Sequence, residues 1–445
     1  MRFLRASSEI RKALGNDYKR LVDKYDIKSR ERKATYREAK QLKPELCAAC
    51  GRKPPEVFRL EAAHISPLAE CSTTYRKNLL LLCREQKGAK ELGCHALFDQ
   101  GYCSIREMIN CRKDWMANKP ATLRSLMLEL KSRYGPQPQL QGHFRKELQN
   151  LRKKQNSCSP KSQEWHILQI QIAEVTRRRA KKDSIERAWN EITQVNPKEI
   201  QSTPLLSRYF YEKAYIELLS GHLNDAFMDF YEGRRALESD INAPGNRWRW
   251  AAHTSLLAQL SCIRRYKHTR AKWSWDTIRK ELIKALNYSR AAKNAALKSG
   301  LNQDRGQDYR NSSRFVQNCL VHLMKPYIAK GQLSIASKQW KRAYNNWLGM
   351  NISNGWDTGF RTTHLWLYGK LLFERGQIDD AVAHLVRSLV CLLGPRRQQP
   401  EGIRDLLFTL GTVLKKKNDP MYKRVLSVAS RSYEFSSWFN PCVPS

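Results

Sequence analysis

Four short stretches decide how this 445-residue chain is read: Cys47-Ala-Ala-Cys50, Leu60-Glu-Ala-Ala-His64-Ile-Ser-Pro67-Leu68, Asn78-Leu-Leu-Leu-Leu-Cys83, and Cys94-His95-Ala-Leu-Phe-Asp99-Gln-Gly101-Tyr102. They fall where the cysteines crowd. Of twelve in the chain, seven (Cys47, Cys50, Cys71, Cys83, Cys94, Cys103 and Cys111) lie between positions 47 and 111, and the other five are scattered. A cluster that contains a CxxC points to metal before it points to disulfides. Short apolar runs at Phe58 to Leu60 and Leu79 to Cys83, set among turn residues, predict small strands. His95 and Asp99 are four residues apart, so on a helix they share one face and can grip a single ion. A His and a carboxylate suit Mg²⁺, Mn²⁺ or another borderline divalent metal, and the pair does not choose among them.

In this order and at these spacings the four stretches resemble the HNH nuclease family. The resemblance covers residues 47 to about 105, less than a sixth of the chain. It implies a ββα-metal fold that holds one catalytic divalent ion between a hairpin and a helix, braced by a zinc knuckle. It implies His64 as general base, Asn78, fourteen residues later, as the residue that orients that base or pins the loop, and His95 with Asp99 around the catalytic ion. It also implies a structural Zn²⁺ on four thiolates, Cys47 and Cys50 from one knuckle and Cys83 and Cys94 from the other. These residue types fit those tasks. An imidazole titrates near neutral pH and can take a proton from water, an amide donates and accepts without titrating, and four thiolates make a closed tetrahedral site that stabilises a module too small for a sizeable core.

Two departures leave alternatives open. Many family members carry Asp or His immediately before the catalytic His, and here that position is Ala63. Fewer protein ligands plus water could hold the ion, Glu61 could supply a further carboxylate, or the fold could persist without catalysis. The ten residues between Cys83 and Cys94 exceed the usual two, so Arg84 to Gly93 is expected to form an extruded loop. A ligand set drawing on Cys71 or Cys103, or buried thiols without metal, are the alternatives there.

Charge narrows the partners. With 80 Lys and Arg against 42 Asp and Glu the net charge is +38, and each cation that meets a phosphate releases condensed counterions. Nucleic acid, DNA ahead of RNA, is the expected partner. No stretch approaches ~18 consecutive apolar residues, and Met1 to Lys12 lacks the apolar centre of a secretory signal, so no membrane partner and a cytoplasmic location are expected. At 41% hydrophobic the chain can bury real cores, which excludes wholesale disorder.

Outside the cysteine cluster the periodicity is helical. Residues 1–46 read as a basic helical segment, 47–105 as the metal module, 106–195 as a basic helical connector, and 196–445 as a repeat array, giving a mainly α protein. Trp165, Leu168, Ile172 and Val175, then Ile185, Trp189 and Ile192, recur at helical steps. Between them Arg177, Arg178, Arg179, Lys181 and Lys182 form a run that is either a solvated face or a phosphate-contacting stripe. Gly135 to Pro138 and Asn156 to Pro160 are expected helix breaks. In the C-terminal half Gly221 with Ala226, Gly331 with Ala336, and Gly376 with Ala381 share the step G-x4-A, each followed four residues on by Phe230, Trp340 or Leu385. This resembles the tetratricopeptide repeat, in which Gly makes the turn and small residues let helices pack closely. Residues 247–300 read as a degenerate unit. Such an array offers a concave surface for a protein partner, self-association or nucleic acid. The leading expectation is therefore an HNH endonuclease positioned by a helical array, a combination that would fit host defence in a microbe. The alternative is a non-catalytic zinc-containing scaffold. The remaining histidines, and Trp248, Arg249 and Trp250, are expected to be mostly packing residues, base stacking by the last three being the other reading.

Overall fold

The computed structural model describes residues 7–25, 42, 44–65, 79–85, 91–134, 144–178, 184–220, 222–243, 245–266, 273–298, 303–350, 357–393 and 403–432. The protein is mainly helical. The described strands are β1 (Arg59–His64) and β2 (Leu79–Arg84), which pair antiparallel with Arg59 opposite Arg84 and His64 opposite Leu79. β2 reads Leu-Leu-Leu-Leu-Cys with no polar alternation because both of its faces are covered: Leu79 to Cys83 are all buried. On its free edge Ala48 N–H donates to the Leu81 carbonyl at 2.8 Å, which ties the Cys47–Cys50 turn to the hairpin.

Helix α3 (Cys94–Asp99) packs on β2, and α4 (Ile105–Met116) and α5 (Leu123–Tyr134) follow. Ser104 starts α4 with a capping box: its side chain accepts from Glu107 N–H while the Glu107 carboxylate accepts from Ser104 N–H. One hydrophobic core runs from Leu42 through Leu79–Cys83, Leu97 and Phe98 to Ile105, Met108, Trp115, Met127 and Leu130. The metal module expected to end near 105 thus shares its core with the next two helices.

From α6 (Phe144–Asn156) onward the chain is a series of helices, each packed on its neighbours: α7 (Gln163–Arg178), α8 (Ser184–Ile192), α9 (Thr203–Ser220), α10 (Leu223–Arg235), α11 (Asn246–Tyr266), α12 (Trp275–Lys298), α13 (Gln303–His322), α14 (Met324–Ala329), α15 (Leu333–Leu348), α16 (Asp357–Glu374), α17 (Ile378–Leu392), α18 (Ile403–Lys416) and α19 (Tyr422–Arg431). The break expected at Asn156 to Pro160 separates α6 from α7, whereas Gly135 to Pro138 and Gly221 lie outside the described residues. Gly331 and Gly376 turn the chain into α15 and α17 at φ +68° and +77°, a left-handed conformation costly for residues with a Cβ. The cores overlap in sequence: one joins α7, α8 and α9, the next α9, α10 and α11, another α11 to α16, and the last α16 to α19.

Two long-range contacts close the molecule. The N-terminal helices α1 (Ser7–Leu14) and α2 (Asn16–Tyr25) bury Ile10, Leu14 and Leu21 in the last core, against α17 to α19. Lys24 and Tyr25 both reach Asp419, and Arg11 donates to the Leu393 carbonyl. The cysteine-bearing module instead rests on the middle of the helical series. Trp347 of α15 enters its core, Tyr309 and Leu348 pack against it, and Arg106 donates to the Asn345 carbonyl at 2.6 Å. No helix among the described residues is long and apolar enough to cross a membrane.

Candidate metal centre and catalytic cluster

The Sγ atoms of Cys47, Cys50, Cys83 and Cys94 all lie within 4.8 Å of one another. Cys50 and Cys83 are 3.8 Å apart, the edge of a tetrahedron with metal–sulfur bonds of about 2.3 Å. Local structure builds each half. Cys47 and Cys50 sit in a turn closed by Gly51 N–H to Cys47 O at 2.7 Å, while Cys83 is the last residue but one of β2 and Cys94 begins α3. Gly93 is required between them, since a Cβ there would meet the Cys83 carbonyl at 2.6 Å.

Hydrogen-bond donors surround the sulfurs. Cys83 N–H points at Cys47 Sγ at 3.3 Å, Cys94 N–H at Cys83 Sγ at 3.4 Å, and the Arg124 guanidinium at Cys94 Sγ at 3.4 Å. Hydrogen bonding from Cys47 draws the Cys50 and Cys83 thiols below their ordinary range, while Cys50 and Cys83 push Cys47 and Cys94 above theirs, so the four share protons that one cation would replace. The four cysteines form a site that can hold a metal such as zinc. Cys103, weighed as an alternative ligand, is buried away from this cluster with its thiol pushed well up by desolvation, and Cys111 donates to the Ala48 carbonyl. Cys71, the other alternative, lies outside the described residues.

The second group of candidate residues lies on the same hairpin and helix. His64 ends β1, half-buried; desolvation first, and the neighbouring His95 second, hold its pKa below the usual histidine value, so the ring stays neutral near pH 7. His95 and Asp99 share one face of α3, with Nε2 3.8 Å from Oδ2. Asn78 lies outside the described residues.

Glu61, two residues before Ala63 and on the same face of β1 by alternation, reaches across to His95: Oε2 is 3.1 Å from Nδ1. Burial would raise the Glu61 carboxyl, but Arg84, then His95 and Arg59, outweigh it, and the group sits below the usual carboxylate range. Arg59 lies 2.6 Å and Arg84 3.1 Å from its oxygens. The two arginines are cross-strand partners, and both guanidiniums reach the one Glu61 carboxylate. The sequence offered Glu61 as a further carboxylate beside the Ala63 position; the packing of α3 shows that it meets His95.

The basic run is divided. Arg177 is turned inward, its guanidinium 2.8 Å from Glu212 and 4.3 Å above the Tyr215 ring, which corrects its expected place among phosphate contacts. A side chain committed to a buried carboxylate cannot reach a backbone phosphate. The side chain of Arg178, and residues Arg179, Lys181 and Lys182, lie outside the described residues. Trp250 is buried, and Trp248 stacks on Phe315 while donating to Asp308 at 2.7 Å, so these rings are packing residues. Compared with models of known families the chain matches none, and no curated protein is similar to it.

Proposed function

We propose that the protein is a metal-dependent endonuclease of the HNH type that hydrolyses phosphodiester bonds in nucleic acid, DNA ahead of RNA. The observation that carries this reading is that His64, at the end of β1, lies within electrostatic reach of His95, which shares a face of α3 with Asp99, on the hairpin and helix that also carry Cys83 and Cys94. His95 Nε2 and Asp99 Oδ2 are too far apart for a direct hydrogen bond and within the ~4.2 Å that two ligands at about 2.1 Å from one ion can span. They are the residues that would hold Mg²⁺ or Mn²⁺. Such an ion, when bound, neutralises charge on the scissile phosphate and its leaving oxygen.

The chain's own residues account for the remaining work. Neutral His64 accepts a proton from the attacking water at its unprotonated ring nitrogen. Arg59 and Arg84, each about half exposed beside Glu61, offer guanidinium groups to phosphate oxygens flanking the cleaved bond. A net charge of +38 supports a polyanionic substrate. The four cysteines, filled by zinc, would fix the hairpin against α3, because each half of that cluster belongs to one of these two elements or the turn bound to them.

The helical series supports a tetratricopeptide-like array. Ala226, Ala336 and Ala381 are fully buried where helices meet, Gly331 and Gly376 make the intervening turns, and the cores overlap helix by helix. The module rests on this array at Trp347, which suits targeting of the nuclease by whatever the array binds. Nicking of supercoiled plasmid with Mg²⁺ or Mn²⁺, with and without EDTA, and by wild type and His64→Ala, tests the reading. Metal-independent binding without cleavage would replace it with a zinc-containing scaffold, the second reading favoured by Ala63.

A further inference from the structure

We infer that Glu61 is a positioning residue that sets the tautomer of His95, so that Nε2 turns an unprotonated lone pair toward Asp99 and a divalent cation. The inference rests on the proposed catalytic cluster and deepens it: the carboxylate missing at Ala63 is supplied two residues earlier, with a different task.

Geometry separates that task from direct ligation. Glu61 Oε2 stands 3.1 Å from Nδ1, and Asp99 Oδ2 stands 3.8 Å from Nε2, on the opposite edge of the ring. One ion cannot bond to both ring nitrogens, so Glu61 and Asp99 cannot both join His95 around it. The choice of edge follows from Glu61's neighbours. Paired with Arg59 at 2.6 Å and Arg84 at 3.1 Å it is ionised, and an ionised carboxylate only accepts. Nδ1 must then carry the hydrogen. With Nδ1–H directed to Glu61, Nε2 is the ring atom that faces Asp99 Oδ2 at 3.8 Å, and the gap between them is where a cation would sit.

The two carboxylates also differ in exposure. The Glu61 side chain is 21% exposed and clamped by two arginines, as an orienting group needs to be; Asp99 is 66% exposed, open to solvent, as a ligand that shares its ion with water and a phosphate needs to be. A carboxylate behind a metal-bound histidine raises ligand basicity and fixes the ring, and its loss costs roughly 10–100-fold in metal affinity.

The test is Mn²⁺ affinity of the full chain, read from the free-ion EPR signal, for wild type and for Glu61→Ala, Glu61→Gln and Asp99→Ala, with zinc content and circular dichroism as fold controls. Glu61→Ala is expected to weaken Mn²⁺ binding roughly 10–100-fold. Glu61→Gln should recover most of that loss, because an amide carbonyl accepts the same Nδ1–H. Asp99→Ala should lose binding outright. The inference is overturned by wild-type affinity in Glu61→Ala, by a Glu61→Gln variant as weak as Glu61→Ala, by a loss in Glu61→Ala equal to that in Asp99→Ala, or by a wild type that binds no Mn²⁺. The expected affinities in a protein that nicks no plasmid would sink the nuclease reading and leave the assignment of Glu61 standing.

Discussion

Arg177 and Glu212 form an inward-facing ion pair between α7 and α9, 2.8 Å apart, with side chains 13% and 5% exposed. Burial alone would lift the Glu212 carboxyl, and it stays above its ordinary range even with Arg177 beside it. Breaking such a pair on one side leaves an uncompensated buried charge, which costs roughly 3–5 kcal/mol. Arg177→Ala should therefore lower the urea midpoint strongly, while the slope of DNA affinity against salt stays at the wild-type value. A fall in that slope with unchanged stability would return Arg177 to the phosphate contacts.

The four-cysteine cluster should carry about one zinc per chain by elemental analysis. Cys50→Ser should lose that zinc and unlock amide exchange along Leu79–Cys83, since binding energy at such a site is folding energy. A protein protected there without metal would contradict it.

His64→Ala should reduce nicking by roughly 10²–10⁴-fold, the usual reach of a general base, with DNA affinity and zinc content unchanged. Cleavage at the wild-type rate would remove His64 from the mechanism.

Asp419 governs a pH response at the other end of the molecule. Burial would raise its carboxyl, but hydrogen bonds from Lys24 and Tyr25 hold it below the ordinary aspartate value. A group with a depressed folded pKa stabilises above its unfolded value, about 4, and that contribution is lost as pH falls through the folded value. Exchange protection of α1 and α2 should thus fade below about pH 4 before the core of α17 and α18 opens. Asp419→Asn should remove the pH dependence and cost ~1–2 kcal/mol.

Gly369 tests the close helix contacts of the array. On propensity alone Gly369→Ala in α16 would gain up to ~1 kcal/mol. The added Cβ would stand 2.7 Å from Leu385 Cγ and 3.2 Å from the Ala381 carbonyl, however, and overpacking costs about 1–3 kcal/mol. A lowered melting temperature is expected; a raised one would mean that α16 and α17 separate easily.

What the sequence made legible was local. The CxxC, the apolar run Leu79–Cys83 and the four-residue step from His95 to Asp99 each lie within a few residues, so spacing alone indicates what they can do. Helical periodicity likewise gave the mainly α character. The run at 177–182 looked uniform, yet Arg177 turns inward because Glu212, in another helix, needs a counter-charge. Glu61 was legible as a spare carboxylate near His64, but its contact with His95 depends on how α3 packs against β1. The continuation of the module's core through Met127 and Leu130, and the union of α1 and α2 with α17 to α19, depend on contacts between distant positions that no local pattern encodes.

That union has a consequence for how the protein is made. Lys24 and its partner Asp419 are 395 positions apart, so the ribosome releases α1 and α2 long before the surface that receives them exists. Throughout most of synthesis Ile10, Leu14 and Leu21 have no apolar seat, and they must stay in solution or in the care of a chaperone. A message cut short before α17 would yield a polypeptide whose Ile10, Leu14 and Leu21 lack the surface that buries them, leaving apolar area exposed to misassembly.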